Sequence, residues 1–378
     1  MRKCVIVPDS FKGTMSAVRV CEIMGQKVKE HFSECEITAI PVADGGEGTV
    51  DCFLYALDGR RLSVETTGPF GDKILAEYAV FGDTAVIETA SAAGITLGQG
   101  RLNPLEATTY GLGALVKSAL ENGCKKIILG LGGSCTNDGG VGIAAALGAR
   151  FYTQSGEEFL PKPHEYTRIG NIDCTSVREL LKNVSIEAMC DIKNPMYGEE
   201  GAAYVFAPQK GADSQMVEIL DLNLRALDQA IQKSLGLSVA QVPGSGAAGA
   251  LGAGVLAFLG GSLKSGIETV LDVVAFDDKI RDADMIFTGE GKIDAQSVCG
   301  KVIAGVGRRA KLQNIPVVVA AGCRGDGAEE AYEMGVSAIF STCLEPKSFE
   351  EMRGDSEEYL EKTMDSILRV IKVAQGGL

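Results

Sequence analysis

Tryptophan is absent from the 378 residues, and there are only two histidines. His31 lies at the charged end of a helical pattern and His164 in the proline-containing turn PKPHEY. With no histidine placed for proton transfer, Ser-His-Asp and Cys-His catalysis and histidine-rich metal sites are poor hypotheses. The eleven cysteines include no C-x-x-C pair, which argues against a zinc site or a disulfide frame and fits reduced thiols in the cytoplasm. The apolar run after the basic start stops at Pro8-Asp9, too short for a signal peptide. The longest uncharged stretch, Ser238 to Leu263, is broken by Pro243 and several glycines, so no membrane span is expected. Positive charge is also scarce: 36 Lys and Arg against 50 Asp and Glu leave a net charge of −14. A surface of that sign argues against nucleic acid or anionic lipid as partner, so any phosphate must be held locally. The nucleotide-binding pattern G-x-x-x-x-G-K-[ST] and the protein-kinase H-R-D set are both missing.

What the chain does have is glycine, 48 residues of it, and 46% hydrophobic residues, enough for two domains. Strand, loop and helix alternate at both ends. Cys4–Val7 and Glu36–Val42 read as strands, each followed by a helix, and a helical stripe runs through Ala17, Val20, Met24 and Val28. The pattern returns at Met285–Thr288, at Ile315–Ala320 and in a helix over 355–373. Between these ends the pattern changes. Residues 61–88 alternate like antiparallel strands with glycine turns. Residues 152–172 read as loop, Val184–Cys190 as a half-buried strand, and 213–236 as a long helix. The expected architecture is α/β. A doubly wound parallel sheet from residues 1–62 plus 284–378 is interrupted by a second α/β domain with a mixed sheet, 63–283, and the active site lies in the cleft between them. Two consecutive domains split near 150 or 236 are the alternative.

The stretch Lys125–Ala149, KKIILGLGGSCTNDGGVGIAAALGA, joins an apolar strand to a glycine-rich loop and a helix. Backbone N–H groups in such a loop, and the positive end of the following helix, can hold an anion. Ligands of open α/β sheets bind outside the carboxyl ends of strands. At the strand ends of the terminal domain lie Asp9, Ser10 and Lys12; Asp44, Glu47 and Thr49; and Glu290 and Asp294. Many carboxylates, a lysine, glycine loops and no histidine suit Mg²⁺-assisted phosphoryl transfer. Asp44 and Glu290 as plain helix caps, and Lys12 as a solvated charge, are the competing readings. Gly244–Gly249 fits G-x-G-x-x-G with Glu268 downstream, a weak signal for NAD.

Eight ordered blocks carry a resemblance: PDSFKGTMSA, PVADGGEGTVD, ETASAAG, LGGSCTNDGGVG, CDIKNP, APQKGAD, GSGAAGALGAG and TGEGKIDAQSVCGK. Together they span essentially the whole chain, which resembles the bacterial-type glycerate kinases. Cys135 stands where a smaller residue such as Ala is expected. The resemblance implies a flavodoxin-like domain interrupted by a second one. It also implies ATP and Mg²⁺ as cofactors, D-glycerate as substrate and a phosphoglycerate, usually 2-phosphoglycerate, as product. Roles for single residues follow from their chemistry. Asp191 would orient and deprotonate the attacking hydroxyl, and Lys12 would hold the glycerate carboxylate or the transferring phosphate. Ser10, Asp44, Gly45, Gly46, Glu47, Asn194 and Lys210 would bind substrate. Gly132, Gly133, Ser134, Thr136, Asn137 and Asp138 would cradle ATP phosphates, with Glu290 and Asp294 on the metal. A monomer or homodimer is expected. The rival functions are an NAD-linked dehydrogenase of a small hydroxy acid and a non-catalytic sensor of such an acid.

Overall fold

The computed structural model describes residues 1–43, 45, 46, 48–98, 100–298 and 301–376. Contacts divide the chain into two compact units, one of Met1–Ala43, Asp51–Asp58 and Gly266–Leu378, the other of Asp44–Val50 and Gly59–Ser265. In chain order the strands are β1 (Lys3–Ile6), β2 (Glu36–Ala39), β3 (Arg60–Thr67), β4 (Lys73–Phe81), β5 (Thr84–Glu88), β6 (Lys126–Gly130) and β7 (Arg150–Thr153). They continue as β8 (Glu158–Phe159), β9 (Ile169–Asp173), β10 (Ser185–Met189), β11 (Ser262–Lys264), β12 (Met285–Ile293), β13 (Val317–Arg324) and β14 (Val336–Ser341).

The first unit is built on a five-stranded sheet, β14-β13-β12-β1-β2, in which every pairing is parallel. Counting strands within the unit, this is the flavodoxin-like order, in agreement with the fold class expected. Helix Ala17–His31 forms because Ser16 caps it, accepting from Arg19 N, and because Val20, Met24 and Val28 share one face. That face packs with Leu360, Met364 and Ile367 of helix Ser356–Ala374 over Cys4, Ile6 and Phe287. Helix Val302–Leu312 also packs on β12 and β13. The strand expected at Met285–Thr288 runs on to Ile293, because pairing with β13 continues through Glu290↔Ala321 to Ile293↔Arg324. Glu290 is therefore a strand residue, not a loop residue.

The second unit carries a six-stranded sheet, β11-β10-β6-β5-β4-β3. Strands β11, β10, β6 and β5 are parallel, and β4 and β3 add on antiparallel, so this sheet is mixed, also as expected. Helix Ser214–Leu235 is capped by Asp213 and buries Val217, Leu220, Leu224, Leu227 and Ile231 against the core. The expectation of loop over 152–172 was wrong in part. A small antiparallel sheet, β8-β7-β9, forms there from strands of two to five residues, too short to show a period. A cavity of about 800 Å³ opens on this small sheet, lined by Tyr152, Asn171, Arg178 and Lys233 among others, and it holds none of the expected site residues. No helix among the described residues is long and apolar enough to cross a membrane.

Candidate active site

In the second unit the parallel strands β5, β6, β10 and β11 end together, and their loops carry most of the expected residues. Ile127–Leu129 of β6 are fully buried, and the strand runs into the loop 131–140. Gly45 and Gly46 lie directly on this loop. Gly132 N donates to Gly45 O at 3.0 Å. A Cβ on Gly130 would fall 2.4 Å from Gly45 O, and one on Gly132 only 2.5 Å from Gly46 Cα, so the two backbones touch with no side chain between them. Val50 N is anchored on Glu88 Oε1 at 2.7 Å. The structure thus joins Gly45 and Gly46 to the Gly132–Gly133 loop. Asp44 and Glu47, expected alongside them, lie outside the described residues.

Polar side chains in this loop fall into two groups. Asp138, 2% exposed, is fully occupied by the protein. It accepts from Thr109 N at 2.7 Å, Thr109 Oγ1 at 2.8 Å, Gly140 N at 3.1 Å and Gly142 N at 3.2 Å. Burial pushes its carboxyl pKa up, and these donors pull it back. The second group is unsatisfied. Thr136 Oγ1, both amide atoms of Asn137 and Thr89 Oγ1 have no hydrogen-bond partner, though Thr89 and Thr136 are 0% and Asn137 1% exposed. An unmade hydrogen bond on a buried group costs about 1–3 kcal/mol, so such groups call for a ligand or ordered water.

Lys210 reaches the same loop from the turn after helix Ala202–Phe206. It is 2% exposed and donates to Ser134 Oγ at 3.0 Å and Thr136 O at 2.6 Å. No carboxylate among the described residues forms an ion pair with it, and burial lowers its pKa to about 8. Against the loop from the other side lies helix Ala247–Ala257, whose start is not right-handed. Ala248, Gly249 and Ala250 have φ of 54°, 67° and 65°. Two alanines in the left-handed region cost roughly 1–2 kcal/mol each, and strain of this kind gathers at functional sites. The contact is tight: Gly139 N donates to Gly249 O at 3.0 Å. Gly244–Gly249, the weak NAD motif, has no strand before it, and a Cβ on Gly246 would fall 2.2 Å from Pro195 O. Its glycines serve backbone packing.

Asp191, just past β10, is exposed and accepts from Ser265 Oγ at 3.0 Å. Asn194 is half-buried, and its Nδ2 donates to Glu200 O at 2.8 Å.

In the first unit the loop after β1 crosses to β12. Asp9 N donates to Gly289 O at 2.8 Å, and Asp9 Oδ1 accepts from Ser10 N at 2.6 Å. Lys12 is exposed, in the turn closed by the Phe11–Met15 bridge. Glu290 is 5% exposed, and its Oε1 has no partner. Burial, and then Asp9 and Asp294, push its pKa up to about 7, against a pull from Ser297 and Lys301. Asp294 pairs with Lys292 at 3.0 Å. Among the described residues no three His, Cys, Asp or Glu side chains form a metal cluster.

The sequence reading missed Thr89 and the Ala248–Ala250 turn. Thr89 follows a strand end, which is a usable signal. Nothing marks alanine as left-handed.

The profile of the glycerate kinase family matches residues 4–372 of the chain. A protein of Bacillus cereus named glycerate kinase is 43% identical over 375 residues, covering 98% of each chain. One of Escherichia coli named glycerate 2-kinase is 41% identical and covers 90% of each. The crystal structure of a putative glycerate kinase 2 from Salmonella typhimurium LT2 superposes with a TM-score of 0.88 at 37% identity over 99% of both chains. In sequence from end to end and in fold, this chain belongs to the glycerate kinase family and is a kinase.

Proposed function

We propose that the protein transfers the γ-phosphoryl group of ATP to a hydroxyl of D-glycerate and releases ADP and 2-phosphoglycerate. The observation that carries this reading is Lys210: a buried ammonium in no ion pair among the described residues, set against a glycine loop in which the Thr136 hydroxyl and the Asn137 amide are unpaired. Such a site is built for an anionic, hydrogen-bonding ligand. Backbone groups of Gly132, Gly133 and Ser134 would cradle the ATP phosphates. Lys12 would hold the transferring phosphate or the acid's carboxylate, with Ser10, Gly45, Gly46 and Asn194 beside the substrate. Asp138 acts through the loop, by fixing its shape.

Asp191 is the proposed base. Ser265 holds one carboxylate oxygen, and the carboxylate receives the proton as the substrate oxygen forms its bond to phosphorus and the bond to ADP breaks. Glu290 is the proposed ligand of a divalent cation, although no three acid side chains among the described residues form a ready-made cluster around it. What supports this is Glu290 Oε1, buried with no hydrogen-bond partner, and a pKa raised first by burial and then by Asp9 and Asp294. Magnesium there would neutralise charge on the phosphates. The reaction is proposed to run in the cytoplasm, where reduced thiols persist.

The test is ADP release dependent on both glycerate and Mg²⁺, with the product identified by phosphorus NMR. No ADP release with glycerate sinks the reading, and a 3-phosphoglycerate product corrects it. Asp191→Asn should lower kcat by 10²–10⁴-fold with the fold intact. An effect under tenfold removes Asp191 as the base.

A further inference from the structure

Buried orphans in the loop point to a particular ligand. An amide offers a donor at Nδ2 and an acceptor at Oδ1, and both atoms of Asn137 are unpaired. A phosphate can accept from Nδ2 but has no proton for Oδ1, which would be left facing an anion. The complement of the whole amide is a molecule with a hydrogen-bond acceptor and a donor side by side. An adenine edge satisfies that condition, and so does a hydroxy acid. Lys210 decides between them. Its ammonium grips Thr136 O at 2.6 Å, one residue from Asn137, and has no ion-pair partner among the described residues. A buried cation is matched by a carboxylate, not by a neutral base.

We propose that Thr136, Asn137 and Lys210 form the subsite that reads the acceptor acid. The carboxylate meets the Lys210 ammonium and the Thr136 hydroxyl, Asn137 Nδ2 donates to an oxygen of the acid, and a hydroxyl of the acid donates to Asn137 Oδ1. This rests on the kinase reading above and moves Thr136 and Asn137 from the nucleotide to the acid. It also gives the strained turn a role. Gly249 presses on Thr136 and Asn137 so closely that a Cβ would lie 1.9 Å from Thr136 O and 2.5 Å from Asn137 Cα. Ala248, in the same turn, reaches the surface. The left-handed backbone of Ala248 and Ala250 keeps Gly249 in that contact.

The test uses the full-length protein and its Asn137→Leu variant, similar in volume but apolar. Thermal unfolding, ADP affinity by calorimetry and glycerate kinetics are measured on both. Leucine removes two unsatisfied polar atoms, so the melting temperature should stay level or rise. ADP affinity should be unchanged, and kcat/KM for glycerate should fall about 100-fold or more. The variant should also lose the wild type's discrimination between glycerate and its monohydroxy analogues, lactate and 3-hydroxypropionate, scored as inhibitors. A variant that loses ADP affinity but keeps glycerate turnover shows that the amide reads the base and overturns the proposal. So does a melting temperature several degrees lower or a failure to fold, since the amide would then be structural. Thr136→Val gives an independent check, with the same loss of kcat/KM expected and an unchanged value refuting the subsite. A wild type that releases no ADP with glycerate fails the kinase reading instead. Wild-type turnover with both variants unimpaired fails the subsite alone.

Discussion

Glu290 shows how much one side chain can report. The ordinary glutamate value is 4.5, and in the folded protein it is about 7, with burial the largest cause. Between those values the native state keeps a proton that the unfolded chain has released. The favourable contribution is therefore complete below about pH 4.5 and lost as pH rises to about 7. At 1.4 kcal/mol per pKa unit, the loss is on the order of 3 kcal/mol at most. Glu290→Gln should flatten the pH dependence of unfolding between pH 4.5 and 7 and raise stability at pH 8. Denaturant midpoints across that range are the measurement, and an unchanged slope would mean Glu290 is ionised and already compensated. Magnesium should stabilise the wild type at pH 8 much more than at pH 5, where the carboxyl is protonated, and should do less for Glu290→Gln. Lys210 is the opposite case. Its displacement to about 8 leaves it mostly protonated at neutral pH, a charge held ready where a neutral residue would be easier to bury.

Elements with a clear period were legible. Helix Ser214–Leu235 could be read almost to the residue, because its stripe repeats over about four turns and Asp213 and Gly236 mark its ends. Asp213 accepts from Met216 N at 2.8 Å, and Asp213→Ala should cost about 1 kcal/mol in unfolding free energy by chemical denaturation. A loss within error would mean that the cap hydrogen bond contributes nothing measurable to stability. The strands β3, β4 and β5 were legible from alternation, and the terminal strands from short apolar runs before glycine and acid. The rest was not, for definite reasons. The small sheet has too few residues per strand. β12 was cut short because Gly289 and Gly291 look like loop, while the ladder to β13 overrides that preference. Thr108 and Thr109 lie ahead of a helix but bind Asp138 and do not cap it, since the helix begins at Leu112. At the site, residue types were legible, but burial was not. Asp138 and Asn137 are neighbours of similar shape, and only in the folded chain is one saturated and the other unpaired.

For the molecule as a whole, the order of the chain matters most. The second unit takes nearly all of its residues from one continuous stretch, Gly59–Ser265. The first unit cannot finish its sheet until Cys4 meets Met285. Closing a loop of that length costs more conformational entropy than any pairing in the second unit, and such contacts form late. Pulse-labelled hydrogen exchange during refolding should protect amides of β6 and β10 before those of β1 and β12. The reverse order would mean the long closure is not limiting. The stretch Asp44–Val50 belongs to the second unit although flanked by first-unit chain, and it is fastened by glycine on glycine. That joint has a consequence for how the protein can vary. Where two backbones meet with no side chain between them, no intermediate size exists: at Gly130 and Gly132 even a methyl group strikes backbone at 2.4 and 2.5 Å. In a library of all single substitutions these two positions should be blank, while Thr136 and Asn137 show graded effects. Of these four positions only the second pair leaves room for drift in the proposed substrate preference, since the first can only be kept or broken.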